Sequence, residues 1–159
     1  MKKYAGKCNC GIINFICDGD PMFTQYCHCN KCREVAFLSK RDSDKQGYSF
    51  TAAYLTSNFH ITSGMDSLEE IVRNNAKLFL CKFCHSLIYG ISIDPAKQAG
   101  IGVNVNNFNF GNPVPESFKS ARHIWYANRT VNFDDSLPKY TDAPKEQFGS
   151  GNSHSGSTQ

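Results

Sequence analysis

Apolar residues along this chain alternate with polar ones over short stretches and nowhere build a helix-length apolar face, so the pattern predicts strands separated by turns. Residues 2–17 read as a hairpin: Tyr4 leads into the turn Cys8-Asn9-Cys10-Gly11, and Ile12-Ile13-Asn14-Phe15-Ile16-Cys17 is rich in β-branched and aromatic residues. Asp18-Gly19-Asp20-Pro21 breaks the strand, and residues 22–26 resume an extended segment. Further strands are predicted over residues 48–55, 59–62, 68–73, 77–81, 86–93 and 100–105, the last alternating Ile101, Val103 and Val105 with Gly and Asn. A short helix fits residues 33–38. Residues 104–112 hold five asparagines and two phenylalanines, which favours turns. Residues 122–127 and 131–133 are predicted closing strands. The mixed-sign run at residues 40–47 is expected to be a solvated loop. After Tyr140 the sequence shifts to Gly, Ser, Asn and Pro, so one domain is expected over residues 1–140 and a flexible tail over 141–159.

Composition narrows the function classes. A chain of 159 residues suits one domain with its own core. The net charge is only +3 with no Lys/Arg block, so nucleic acid is not an expected partner, and a small molecule is. No apolar run approaches the roughly 20 residues that span a bilayer, and Met1-Lys2-Lys3 leads into no signal-like apolar stretch, which makes a cytoplasmic protein the expectation. In a reducing compartment the eight cysteines are better suited to metal binding or catalysis than to disulfides.

The soft ligands concentrate in Tyr26-Cys27-His28-Cys29-Asn30-Lys31-Cys32-Arg33. One such loop can turn three sulfurs toward a common centre, and zinc is the usual occupant of thiolate sites. Seven of the eight thiols fall into Cys8/Cys10, Cys27/Cys29/Cys32 and Cys81/Cys84; Cys17 stands alone and reads as a small buried residue. A structural zinc takes four ligands, so the two pairs are expected to make a closed site and the triplet an open one. Cys17, His28, His85 or His123 could complete the triplet and close it too. His28 and His85 are also the candidates for proton transfer.

The three cysteine groups, in this order, resemble the glutathione-dependent formaldehyde-activating enzymes, a family that includes a centromere protein V branch. The residues carrying the resemblance are Gly6-Lys7-Cys8-Asn9-Cys10-Gly11, the Tyr26 to Arg33 loop, Phe79-Leu80-Cys81-Lys82-Phe83-Cys84, His123-Ile124-Trp125 and Asp135-Ser136-Leu137-Pro138-Lys139-Tyr140. The resemblance implies a mainly β fold, a β-tent of small antiparallel sheets with zinc sites and few short helices. It implies structural zinc on Cys8, Cys10, Cys81 and Cys84 and catalytic zinc on Cys27, Cys29 and Cys32, two zinc ions per chain. The implied reaction is condensation of formaldehyde with glutathione to S-(hydroxymethyl)glutathione, a carbon-sulfur lyase step in reverse. The alternative is a non-catalytic, zinc-stabilised binding module of the same fold. The chain departs from the family's usual pattern at His85, where glycine commonly follows the second cysteine pair, and at Val35-Ala36-Phe37, where a small pair is common. Asn104-Val105-Asn106-Asn107 replaces a more acidic stretch. His123 and Trp125 are expected to serve packing.

Overall fold

The computed structural model describes residues 1–119 and 121–154. Among these residues, ten strands form two sheets. The smaller pairs β1 (Lys3–Lys7) with β2 (Asn14–Asp18), and β2 with β5 (Phe59–Ser63), all antiparallel. The larger places β10 (Ala121–Ile124) beside β3 (Phe23–Cys27), followed by β4 (Ser49–Leu55), β9 (Gly100–Asn104), β8 (Leu87–Ser92), β7 (Ala76–Cys81) and β6 (Leu68–Arg73). All its pairings are antiparallel except β10 with β3, which is parallel. The mainly β expectation holds, and most observed strands fall within a residue or two of the predicted ones. The closing strand expected over residues 122–127 stops at Ile124, where Trp125 turns left-handed and Tyr126–Asn128 form a 3-10 turn. Residues 131–133 are a second exception. They form no strand; instead Phe133 packs its ring 4.4 Å from His123 and its backbone N–H donates to the Tyr126 hydroxyl at 2.8 Å.

Alternation along the strands sorts side chains into two layers. Phe15 and Cys17 on β2, Ala52 and Tyr54 on β4, and Ile101 and Val103 on β9 point into the main core with Ile13, Ile88, Phe108 and Phe118. Complete burial of aromatic and branched side chains of this size stabilises by about 1.5–3 kcal/mol each. Phe79 on β7 faces the same way, stacking on Tyr89 at 4.5 Å. Its neighbours Leu78 and Leu80 face the opposite side, where Val35 of the helix α1 (Asn30–Leu38) covers them. Helix α1 is the single α-helix among the described residues.

On that second face the register aligns Phe23, Ala53, Gly102, Gly90 and Leu78 in one row across five strands. Three of these five have no side chain beyond a methyl group. The row is therefore a trough, walled by Phe23 at one end and Leu78 at the other.

The chain beyond residue 140 returns to this face. Tyr140 bridges Ser153, the Thr141 N–H donates to the Asn152 carbonyl at 2.9 Å, and the Trp125 N–H donates to the Asp142 carbonyl at 2.6 Å. The Asp142 carboxylate accepts from the Ala143 N–H at 2.7 Å and the Ser150 hydroxyl at 2.6 Å, pinching residues 142–151 into a closed loop. The last five residues of the expected flexible tail, 155–159, lie outside the described part.

Candidate functional site

Seven thiols gather into two groups that could hold metal ions. Cys8 and Cys10 sit in the turn between β1 and β2, Cys81 ends β7, and Cys84 lies in the turn that leads to β8. The two turns are built alike. The Gly11 N–H returns to the Cys8 carbonyl at 3.0 Å and the His85 N–H to the Cys81 carbonyl at 2.9 Å, and each turn ends on a left-handed residue, Gly11 at φ +82° and His85 at φ +58°. Glycine is at ease in that conformation and histidine is not. A glycine in place of His85 would hold this turn without that strain.

The four sulfurs lie within 4.8 Å of one another, with Cys10 Sγ 3.6 Å from both Cys8 Sγ and Cys81 Sγ. That is far from the roughly 2.05 Å of a disulfide, and all eight cysteines are free. Backbone amides already support the sulfur charge: Ile13 N–H donates to Cys8 Sγ and Phe83 N–H to Cys81 Sγ, both at 3.4 Å. Burial opposes ionisation of Cys84, but the Ser86 hydroxyl, 3.2 Å away, and nearby amides hold its thiol below the ordinary range.

The second group is Cys27, Cys29 and Cys32, also within 4.8 Å of one another. Cys27 ends β3, Cys29 caps the N-terminus of α1, and Cys32 lies in its first turn. The helix starts earlier than the sequence suggests, because the Cys29 sulfur itself accepts the Cys32 N–H at 3.4 Å and so supplies the cap. Hydrogen bonds from the Cys27 and Cys32 thiols hold Cys29 far below the ordinary thiol range, while the same bond pushes Cys27 up. One sulfur of three carries the charge readily. No other His, Cys, Asp or Glu among the described residues joins the triplet. Cys17 is buried in the main core.

His28 is fully buried, its Nε2 2.9 Å from His123 Nδ1, and His123 Nε2 is 2.9 Å from Asp135 Oδ2. Asp135 accepts in turn from the buried Lys139 ammonium. Tyr126 and Phe133 meet the His28 ring edge-on at 5.1 and 5.6 Å. This chain anchors the cysteine loop to β10 and to the segment around residue 135. His28 therefore faces the interior. His85 belongs to the turn of the four-thiol group, and neither imidazole lines the groove described next.

The triplet opens into a groove of about 490 Å³ laid along the trough, within the range of small-molecule sites. Gln25, Thr51, Ala53, Gly102 and Gly90 form its floor, Leu78 stands at the wall, and Cys27, Cys29, Lys31 and Cys32 make one end. Trp125, in a left-handed conformation at φ +53°, is 42% exposed at its rim instead of packed inside. Gln147 and Phe148 from the 142–151 loop line the groove with Lys97. Phe37 is 60% exposed and does not enter, whereas Val35 and Ala36 line a smaller pocket behind Cys32. The glycines inside strands β8 and β9 were the available signal for this groove, since a strand glycine marks a close backbone approach. Trp125, Gln147 and Phe148 carried no such signal.

Comparisons with known proteins bear on the family and the fold. The family model described as glutathione-dependent formaldehyde-activating enzyme matches residues 3–128. Among solved structures, the crystal structure of a Rhodobacter sphaeroides protein aligns with a TM-score of 0.50 and 19% identity, covering 69% of this chain and 91% of that one. At that identity the likeness concerns the fold. Comparison with curated proteins returned no match.

Proposed function

The chain belongs to the glutathione-dependent formaldehyde-activating family, and from that premise we propose a zinc-dependent enzyme that joins a small aldehyde to a thiol. The observation carrying this reading is the division of the thiols: four close on themselves, and three face a groove with no fourth His, Cys, Asp or Glu joining them among the described residues.

The donor sets fit zinc. A tetrahedral site with zinc-sulfur distances near 2.3 Å has sulfur-sulfur edges of about 3.8 Å, against 3.6 Å for two pairs in the four-thiol group. In this proposal Cys8, Cys10, Cys81 and Cys84 hold a structural zinc that ties the first hairpin to the β7–β8 turn. Cys27, Cys29 and Cys32 hold the catalytic one. When bound there, zinc would supply Lewis-acid stabilisation of negative charge developing on the reacting sulfur or oxygen.

The reaction forms one carbon-sulfur bond between the substrate thiol and the aldehyde carbon. The carbonyl π bond opens, and the thiol proton ends on the former carbonyl oxygen. The protein's own groups orient and confine these reactants. The small-residue floor lets the thiol lie flat against the sheet, and Trp125 shields the end of the groove beside Cys29. Cys29 as helix cap places its sulfur where the positive end of α1 favours anionic character. With His28 committed to His123 and His85 outside the groove, the proton travels through solvent. Free cysteines throughout suit a reducing, cytoplasmic setting.

The test follows exchange between formaldehyde, glutathione and their adduct by NMR with the zinc-loaded protein. Acceleration above the uncatalysed rate, lost in Cys29→Ser, is the expected result. A rate equal to background in the loaded protein overturns this substrate assignment.

A further inference from the structure

Residues 142–151 lie beyond the part matched to the family, yet residues from this loop line the groove. The loop is held shut from within. The Gly149 N–H donates to the Pro144 carbonyl at 3.0 Å, and a Cβ at Gly149 would fall 2.1 Å from the Ala143 carbonyl oxygen, so the turn accepts only glycine there. Its acids are committed: Glu146 pairs with Arg122 at 3.2 Å, and Asp142 takes Ala143 and Ser150.

What the groove leaves uncommitted is one acceptor and two cations. Gln147 Oε1 is buried without a hydrogen-bond donor. Lys31, beside Cys29, makes no ion pair among the described residues. Lys97 is held 4.2 Å above the Phe148 ring, with only a loose contact to Asp94 at 3.9 Å. A buried amide oxygen without a donor costs free energy that a bound N–H would recover. An ammonium resting on a ring keeps its charge available to a carboxylate.

We propose that Gln147 and Lys97 are the specificity-determining residues of the groove. Gln147 Oε1 accepts an amide N–H, and Lys97, steadied by Phe148, receives a terminal carboxylate of the thiol whose sulfur lies at the cysteine triplet. The inference rests on the thiol reading above and adds to it the two residues, Gln147 beyond the part matched to the family and Lys97 within it, that would recognise the peptide bond and carboxylate of such a thiol. Lys31 would meet a second anionic group at the cysteine end.

The test uses the zinc-loaded full chain and Trp125, the single tryptophan and a rim residue, as the fluorescent reporter of occupancy. Glutathione and 2-mercaptoethanol are titrated separately, and the ratio of their dissociation constants is read. Lys97→Glu should reduce the wild-type preference for glutathione at least about tenfold, Gln147→Leu about fivefold, and Lys97→Arg should restore most of it. Both loss variants leaving the ratio within about twofold of wild type would overturn the inference while the thiol reading stands. A wild-type protein that answers to neither thiol overturns both.

Discussion

His28 Nε2 lies 2.9 Å from His123 Nδ1, and neither ring presents surface to solvent. This contact joins the cysteine loop to a strand 95 positions away and continues to Asp135 and Lys139. A histidine between two metal-site cysteines invites a catalytic reading, but here the imidazole is a tie.

Asp135→Asn tests the tie. Lys139 is 3% exposed, and the substitution would leave its ammonium with carbonyl oxygens alone. Stripping one partner from a buried pair costs about 3 kcal/mol or somewhat more. The expected result is a loss of that size in urea unfolding, with the β signature of the circular dichroism spectrum kept in the absence of denaturant.

The same chain sets the response to acid. Burial holds His123 below the ordinary imidazole range despite the pull of Asp135. The unfolded chain therefore binds its proton first, and stability declines as pH falls from about 6.5 toward the lower native value. Burial raises Asp135, but hydrogen bonds from Lys139 and His123 outweigh it and hold the carboxyl down. Its contribution is complete above about pH 4 and is lost as pH falls further. Urea midpoints from pH 7.5 to 3.5 should fall in both windows, and Asp135→Asn should shrink the lower one, which Asp18, Asp20 and Asp142 share.

His85 makes the opposite prediction. At φ +58° it occupies a conformation that suits glycine. His85→Gly should stabilise by about 0.5–1 kcal/mol, and His85→Val should destabilise by more than about 1 kcal/mol. Thermal midpoints of metal-loaded variants decide it.

The glycine row can be filled deliberately. A Cβ at Gly102 meets Thr51 no closer than 3.6 Å, an ordinary contact, whereas one at Gly90 would come within 2.9 Å of Leu78 Cδ2. Gly102→Val should thus fold normally and obstruct the floor of the groove, raising KM for a thiol at least about tenfold. Gly90→Val should lose stability as well as affinity.

Metal counting separates the two thiol groups. Cys29→Ser should retain the fold and drop bound zinc from two per chain to one. Cys81→Ser should unfold much of the domain, because that site closes a loop between distant turns. Elemental analysis with circular dichroism reads both.

Strands, turns and the partition of the cysteines were legible because each rests on local chemistry: alternation along β2, β4 and β9, the Gly, Asp and Asn residues of the turns, and thiol spacing. The N-cap was not legible: the short helix expected over residues 33–38 did not say that Cys29 would cap a helix starting at Asn30. The parallel pairing of β10 with β3 and the Phe23 to Leu78 row were not legible, because register between distant strands is set by packing rather than by either strand's own pattern. Trp125 illustrates the limit: a large aromatic residue reads as core, and only the left-handed backbone turns it to the rim.

The parallel pairing of β10 with β3 also imposes an order of assembly. The meander β6–β7–β8 joins neighbours in sequence and can form early with small loop-closure cost. The cysteine triplet is different: its scaffold is complete only when Ile124 stands beside Cys27, nearly a hundred residues later. Until then its thiols stay open to oxidants and stray metals, so the most reactive stretch of the chain is also among the last to be sheltered.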